Sequence, residues 1–309
     1  ETEMFLDSQG RVEEIRPVIR LRAHEIIEES MLCANSCAAE FLQNRNIPVL
    51  YRVHKGPSEE RLSSLREFLG SAGLGLAGGD NPQPSDYQNV LVACKDREDA
   101  SLIQLVLLRS MSRACYQSNN EGHFGLNYSV YVHFTSPIRR YSDLLVHRAI
   151  KHALRVSMDV SKGSDFAMEK AEQLLKPSTL EDLGNLLSFT ERRAEEAARD
   201  VTSWLKCEFL LDKIGQEVEG VVVGVQSFGL FILMDELFVE GLIHVKALPR
   251  DYYYYEDKLQ RLVGERSGQV FKLGQRIKAI VSRVDLQKRK IDLTLFRRKR
   301  GKKGKKSAN

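Results

Sequence analysis

Long apolar runs are the first thing this 309-residue chain lacks. Candidates such as residues 102–108 fall far short of the roughly 20 residues that a membrane-spanning helix needs, so no spanning helix is expected. Cysteine is scarce as well. The five, at positions 33, 37, 94, 115 and 207, are odd in number and lack the paired spacing of a disulfide framework or a zinc site. Cys33 and Cys37 lie one helical turn apart, but no histidine or further cysteine follows at ligand spacing, so no metal is expected on them. The thiols read as buried groups in a reducing compartment, and with no signal peptide in view the expected location is cytoplasmic. Aspartates are never clustered. Glu28-Glu29, Asp96 to Asp99 and Glu195-Glu196 are the densest acidic groups and read as helix surfaces, so no ligand set for a hard divalent cation is visible. Glu1 rather than Met opens the chain, which reads as a piece of a longer one.

What is present describes a globular protein. A hydrophobic content of 42% and a charged content of 28% suit a buried core, and the length allows two domains. The net charge of +4 is unevenly placed: residues 297–309 hold eight Lys or Arg and no acid, so the other 296 residues carry a net −4. Such a tail is expected to stay disordered, and either binds polyanions by counterion release or merely keeps the chain soluble.

Residues 4–15 read as a hairpin, with Met4-Phe-Leu6 and Arg11 to Ile15 around a turn at Asp7-Ser-Gln-Gly10. A lone hairpin is marginal in water, so it is expected to complete a sheet whose other strands precede Glu1. From Val18 to Asn44, Ile27, Met31, Ala34, Ala38 and Phe41 recur at steps of four and three and predict a helix with that face on the core. His24, Glu28 and Asn35 line a side face of the same helix, which a solvated surface explains as well as a site does. A short strand in Leu50 to Pro57, a helix from Ser58 to Leu69 capped by Ser58, a loop at 74–85, and helices at Tyr87 to Ala93 and Ala100 to Tyr116 follow. A long helix from Ser188 to Ile214 is expected to open on a Ser188-x-x-Glu191 capping box, to end at Gly215 and to bury Val201, Leu205 and Phe209.

The stretch Tyr131-Val-His-Phe-Thr-Ser-Pro-Ile-Arg-Arg-Tyr-Ser-Asp-Leu-Leu-Val-His-Arg148 changes period at Ser136-Pro137. Ser is a good N-cap and Pro suits a first turn, so a helix is predicted to start there. Its free N–H groups, with Arg139 and Arg140, would form an anion site. Consecutive helical residues point about 100° apart, so the two arginines cannot serve one surface, and Asp143 lies within reach of either. Guanidinium forks hold phosphate well, yet two surface arginines paired with Asp143 would look the same. Gly122 and Gly125 flank His123-Phe124 and would let the backbone pass close to a ligand. His123 and His133 suit a structural role as well as phosphate contact, and His54 is a lone histidine with a weak claim on any ligand.

Gly122-His-Phe-Gly-Leu126, followed by His133-Phe-Thr-Ser-Pro-Ile-Arg-Arg-Tyr-x-Asp-Leu-x-x-His-Arg148, resembles the signature of the RNB exoribonucleases. Ala23-His-x-x-x-Glu-Glu-x-Met-x-x-Ala-Asn35 resembles the helix bordering that family's catalytic channel. The resemblance implies processive, magnesium-dependent hydrolysis of RNA from its 3′ end to nucleoside 5′-monophosphates, in RNA degradation and quality control. It implies catalytic roles for Arg139, gripping phosphate beside the scissile bond, and for Glu28, contacting the terminal nucleotide and helping to tell RNA from DNA. Ser136, Arg140 and His123 would add RNA contacts. One departure appears: Ala198 precedes Arg199-Asp200 where part of the family has a glutamate, so no role of that glutamate carries over. The family holds magnesium on a dense aspartate motif near the start of its catalytic domain. This chain has none, and the ligands are expected upstream of Glu1. The chain would then be the C-terminal part of such an enzyme, inactive alone; the alternative is a catalytically silent single-stranded RNA-binding protein.

At Gly215 the period switches from 3.6 to 2. Segments Glu217 to Val225, Ser227 to Leu233, Glu240 to Val245, Arg276 to Val284 and Ile291 to Leu295 fit a five-stranded OB-fold barrel. The spacing of Phe228, Phe231 and His244, and the pair Asp285 and Arg289, resemble the ribosomal S-one RNA-binding module, which implies RNA contacts for Phe228, Phe231, His244 and Arg289. By alternation alone both phenylalanines suit a core as well as a stacking surface; Gly229 between them would permit a bend that presents both. Tyr252-Tyr-Tyr-Tyr255, in a long loop at 249–268, would either stack on RNA or fasten the loop to the barrel. The expected fold class is α+β: a helix-rich partial catalytic domain over 1–214, the barrel over 215–296 and a basic tail over 297–309. Expected partners are single-stranded and structured RNA, with the ribosome or a ribonucleoprotein reached through the tail. A monomer is expected, with no membrane contact.

Overall fold

The computed structural model describes residues 2–97, 99–157, 176–256 and 259–296, so the basic tail lies outside the described residues. The chain divides into two compact units, one formed by residues 19–198 and the other by residues 1–18 and 199–309. The class is α+β, as expected, with helices and a small sheet in the first unit and mostly strands in the second.

In the first unit, α1 (Arg22–Gln43) packs on α5 (Tyr141–Ser157). Its buried stripe is Asn35, Ala38, Ala39 and Leu42, spaced i, i+3, i+4 and i+7. This corrects the predicted face: Ile27 is 60% exposed and Ala38 is the only one of the five expected core residues that is buried. A polar residue heads the true stripe, so a search for apolar periodicity slides onto its neighbour. A second core gathers α2 (Glu59–Ser71), α3 (Pro84–Cys94) and α4 (Ala100–Ser110) around Leu65, Leu69 and Ile103, with α2 capped by the Ser58 hydroxyl. The last of these helices stops at Ser110, short of Tyr116. Cys115–Gln117 instead form β4, antiparallel to β3 (Tyr51–Val53), and the Arg52 N–H on β3 donates to the Tyr131 carbonyl at 2.9 Å.

The long helix α6 (Pro177–Leu210) begins well before Ser188, so the predicted capping box does not exist. Ser188 lies inside the helix, where its hydroxyl donates to the Gly184 carbonyl at 2.7 Å and accepts the Tyr116 N–H at 2.9 Å. A side chain at Gly184 would sit 2.7 Å from the Tyr116 carbonyl oxygen, so only glycine lets α6 lie this close to β4. Glu191 accepts from Arg52 at 2.7 Å, and that guanidinium lies 4.7 Å over the Tyr116 ring. Further along, Val201 is exposed while Cys207 and Leu210 are buried, a shift of the expected face.

The second unit opens with the expected hairpin, β1 (Thr2–Leu6) against β2 (Val12–Pro17). Its main body is a closed barrel of β5 (Glu217–Gln226), β6 (Gly229–Met234), β7 (Glu240–His244), β11 (Arg276–Asp285) and β12 (Lys290–Leu295), in the order β11-β12-β7-β6-β5. Bulges near Val222 and Val281 supply the bends that closure needs. The 249–268 loop is corrected: β8 (Tyr253–Glu256), β9 (Arg261–Gly264) and β10 (Val270–Lys272) make an antiparallel meander. Tyr253 turns inward against Phe271 within the meander, while Tyr252 and Tyr254 stay exposed, as period-2 alternation requires. The thiols are only partly buried, because Cys33 and Cys37 lie exposed on α1.

Candidate nucleic-acid interface

The residues around Arg139 form a turn rather than a helical start. Ser136 is not the N-cap of α5, which begins only at Tyr141; its carbonyl accepts the N–H groups of Arg139 (3.3 Å) and Arg140 (3.0 Å) in the intervening turn. The cause is Asp143. Fully buried, it reaches back to take the Ser136 N–H at 2.7 Å and Arg140 Nη2 at 2.8 Å, with the Ser142 hydroxyl at 3.1 Å. A buried carboxylate needs such donors, and satisfying them folds Pro137 to Arg139 into a projecting turn. The two arginines therefore separate. Arg140 is committed to Asp143, whereas Arg139 is exposed and has no partner among the described residues. Thr135 Oγ1 and Arg140 Nε are buried in the same turn without a hydrogen-bond partner among the described residues.

Asn35 ties this turn to α1. Its side-chain oxygen accepts the N–H groups of Phe134 (2.9 Å) and Thr135 (3.2 Å), and its amide donates to the Tyr131 hydroxyl at 2.8 Å. Sequence reasoning put Asn35 on a side face with Glu28; it is 3% exposed and structural. The missed signal was its place at the head of an i, i+3, i+4, i+7 stripe. Glu28 lies two helical turns before it, exposed and ion-paired with Arg20. From the other side, His147 on α5 holds the Phe134 carbonyl at 3.0 Å and stacks on that ring.

The histidines support the backbone. His54 joins the Ser112 carbonyl (2.7 Å) to the Gly125 N–H (2.8 Å), which uses both ring nitrogens. His123 accepts the Leu126 N–H at 3.2 Å and lies between His54 and Tyr131, where burial, then the nearby His54 and Arg52, push its pKa down to about 4. His133 meets the Tyr116 hydroxyl at 2.8 Å, and burial, with Arg140 next, takes it to about 3. Both are neutral near pH 7, so neither supplies a cation for phosphate.

In the barrel unit, Phe228 and Phe231 meet edge to face at 5.9 Å, the former 45% exposed and the latter half-buried on the outer side of β6. Gly229 stands opposite His244, and a Cβ there would lie 2.3 Å from the Ile243 carbonyl oxygen, so glycine is what lets β6 close on β7. The Val245 N–H donates to the Phe228 carbonyl at 2.8 Å, which puts Phe228 beside exposed His244. Arg289 does not join them. It forms an exposed ion pair with Asp200, while Asp285 takes the Lys288 N–H.

Among the described residues no group of three or more His, Cys, Asp or Glu is placed to hold a metal ion, so the donor set does not fit a magnesium pair. Among them too, no helix is long and apolar enough to cross a membrane.

These features meet in a known pairing of domains. The RNB domain model matches residues 1–156 and the S1 RNA binding domain model matches residues 211–296. The chain belongs to the RNB family. Its relatives include ribonuclease R of Vibrio cholerae, 45% identical over 295 residues, which are 96% of this chain and 36% of that protein. The chain thus spans about a third of the length of such curated relatives. Ribonuclease R of Mycoplasma genitalium, in complex with ribose methylated single-stranded RNA, aligns with a TM-score of 0.86 at 30% identity, over 96% of this chain and 45% of that one. The same protein in complex with double-stranded RNA aligns at 0.76 and 28% identity, over 96% and 46% of the two chains.

Proposed function

We propose that this chain is the RNA-gripping C-terminal portion of a ribonuclease R-type 3′-to-5′ exoribonuclease that releases nucleoside 5′-monophosphates. Residues 1–214 would belong to the catalytic domain, and 215–296 would form the RNA-binding barrel followed by the basic tail. The carrying observation is the division of labour between adjacent arginines: Arg140 is bound to Asp143, which leaves Arg139 open on a braced turn. A fork in that state holds non-bridging phosphate oxygens without first breaking a protein contact. Glu28 would meet the terminal nucleotide, and Ser136 and His123 would add RNA contacts. Magnesium, when bound, would supply a polarised nucleophile; its carboxylate ligands would come from the part of the relatives' length that has no counterpart here. Phe228, Phe231 and His244 would stack on incoming bases of single-stranded or structured RNA. The tail would add salt-dependent affinity, including for ribosomal RNA. A monomer working in the cytoplasm accords with this reading.

The test is Arg139→Ala in the protein that carries this chain together with the rest of its RNB domain. Mononucleotide release should fall roughly 10²–10³-fold while RNA affinity changes far less, as expected of a contact that tightens in the transition state. Equal losses would make Arg139 an ordinary binding residue. RNA binding without any magnesium-dependent release in the unsubstituted protein would favour a catalytically silent RNA-binding protein.

A further inference from the structure

None of the residues assigned above to RNA lines an open cavity found in the helical unit. That cavity, of about 1150 Å³, lies between the start of α2, the middle of α3 and the end of α4. Among its described lining residues Arg61 and Arg113 stand with Arg109 against the carboxylate of Glu60. Ser58, the cap of α2, lines it too, so the positive end of a 13-residue helix adds to the same field. Arg61 uses only Nη1, on the Met111 carbonyl at 2.8 Å, which holds its fork at the rim with other N–H groups left over. Arg113 is exposed and has no partner among the described residues.

The walls are apolar. Leu91, Leu107, Met111 and the 71% exposed Leu108 face a space with room for a flat ring, and the exposed Gln104 amide stands among them. Tyr87 also lines the cavity. It is 5% exposed, and its hydroxyl is sealed from water with no hydrogen-bond partner among the described residues. A hydroxyl with no open surface cannot meet an occupant, so Tyr87 contributes its ring to the wall.

We propose that this cavity binds a nucleoside monophosphate. Arg61, Arg113 and the α2 terminus take the phosphate, the leucine and methionine walls take the base, and Gln104 meets its polar edge. Free phosphate shares the anionic half of this chemistry, and a nucleoside shares the apolar half. The site stands whether or not the chain acts on RNA.

Calorimetric titration of the chain with 5′-AMP, adenosine and inorganic phosphate separates the possibilities. 5′-AMP should bind saturably and about tenfold or more tighter than either fragment. Arg113→Ala, at an exposed position that does not threaten folding, should weaken it about fivefold or more. Arg139→Ala and Phe228→Ala should leave it unchanged. The proposal is overturned by no saturable binding at about 10 mM, by phosphate binding as tightly as 5′-AMP, or by affinity lost in Arg139→Ala or Phe228→Ala but kept in Arg113→Ala.

Discussion

The turn bearing Arg139 and the barrel face bearing Phe228 and Phe231 both present side chains to solvent, but they are built by opposite means. The turn is shaped by buried polar groups that reach across the chain: Asn35 binds backbone about a hundred positions away, and Asp143 folds back on Ser136. The aromatic face follows from strand geometry, since Leu230, Ile232 and Met234 point inward and the residues between them point out. A polar network of this kind yields one rigid geometry and fails sharply when a member is lost. An alternating strand tolerates changes on its outer side.

That contrast can be broken most directly at Asn35. Asn35→Leu strands two half-buried backbone N–H groups and a buried tyrosine hydroxyl, so the helical unit should lose about 2–5 kcal/mol in denaturant unfolding. A loss under about 1 kcal/mol would show that the network does not hold the turn.

The two neutral histidines predict a pH dependence confined to the same unit. Their folded pKa values, about 4 for His123 and about 3 for His133, lie below the ordinary 6.5, so the unfolded chain binds more protons between those limits. Stability should therefore be full above pH 6.5 and decline as pH falls towards 4, by on the order of 2–3 kcal/mol after allowing for partial exposure. His133→Gln should flatten the decline; an unchanged slope in chemical denaturation would contradict it.

Phe228→Ala should reverse the pattern, lowering RNA affinity by about 1–3 kcal/mol in a binding titration while scarcely moving the barrel's unfolding midpoint. If the midpoint falls instead, the ring is core. The smallest effect belongs to Asp200→Asn, whose exposed pair with Arg289 should contribute less than about 1 kcal/mol and vanish in high salt.

The same contrast explains what the sequence revealed. All five barrel strands and the hairpin were legible because period-2 patterns carry their own register. Arg139 and Glu28 stood out by resemblance, and the structure leaves both exposed in the unit where α1 meets α5. The role of Asn35, the late start of α5 and the early start of α6 were illegible, because each depends on a partner distant in sequence. Ser188 shows why most plainly: Ser-x-x-Glu is a sound capping pattern, yet here the serine bonds Tyr116 and the glutamate bonds Arg52. Arg289 drew notice by motif spacing, and only the coordinates turn it towards Asp200.

Ser188 also has a bearing on solubility. A sheet of two short strands ends in open amide edges that recruit strands from other molecules. On β4 that edge is closed by a helix hydroxyl on the Tyr116 N–H and by a glycine that lets the helix lie flush against it. The long helix is therefore a sheath, and a chain lacking the Ser188 hydroxyl would be expected to self-associate during folding.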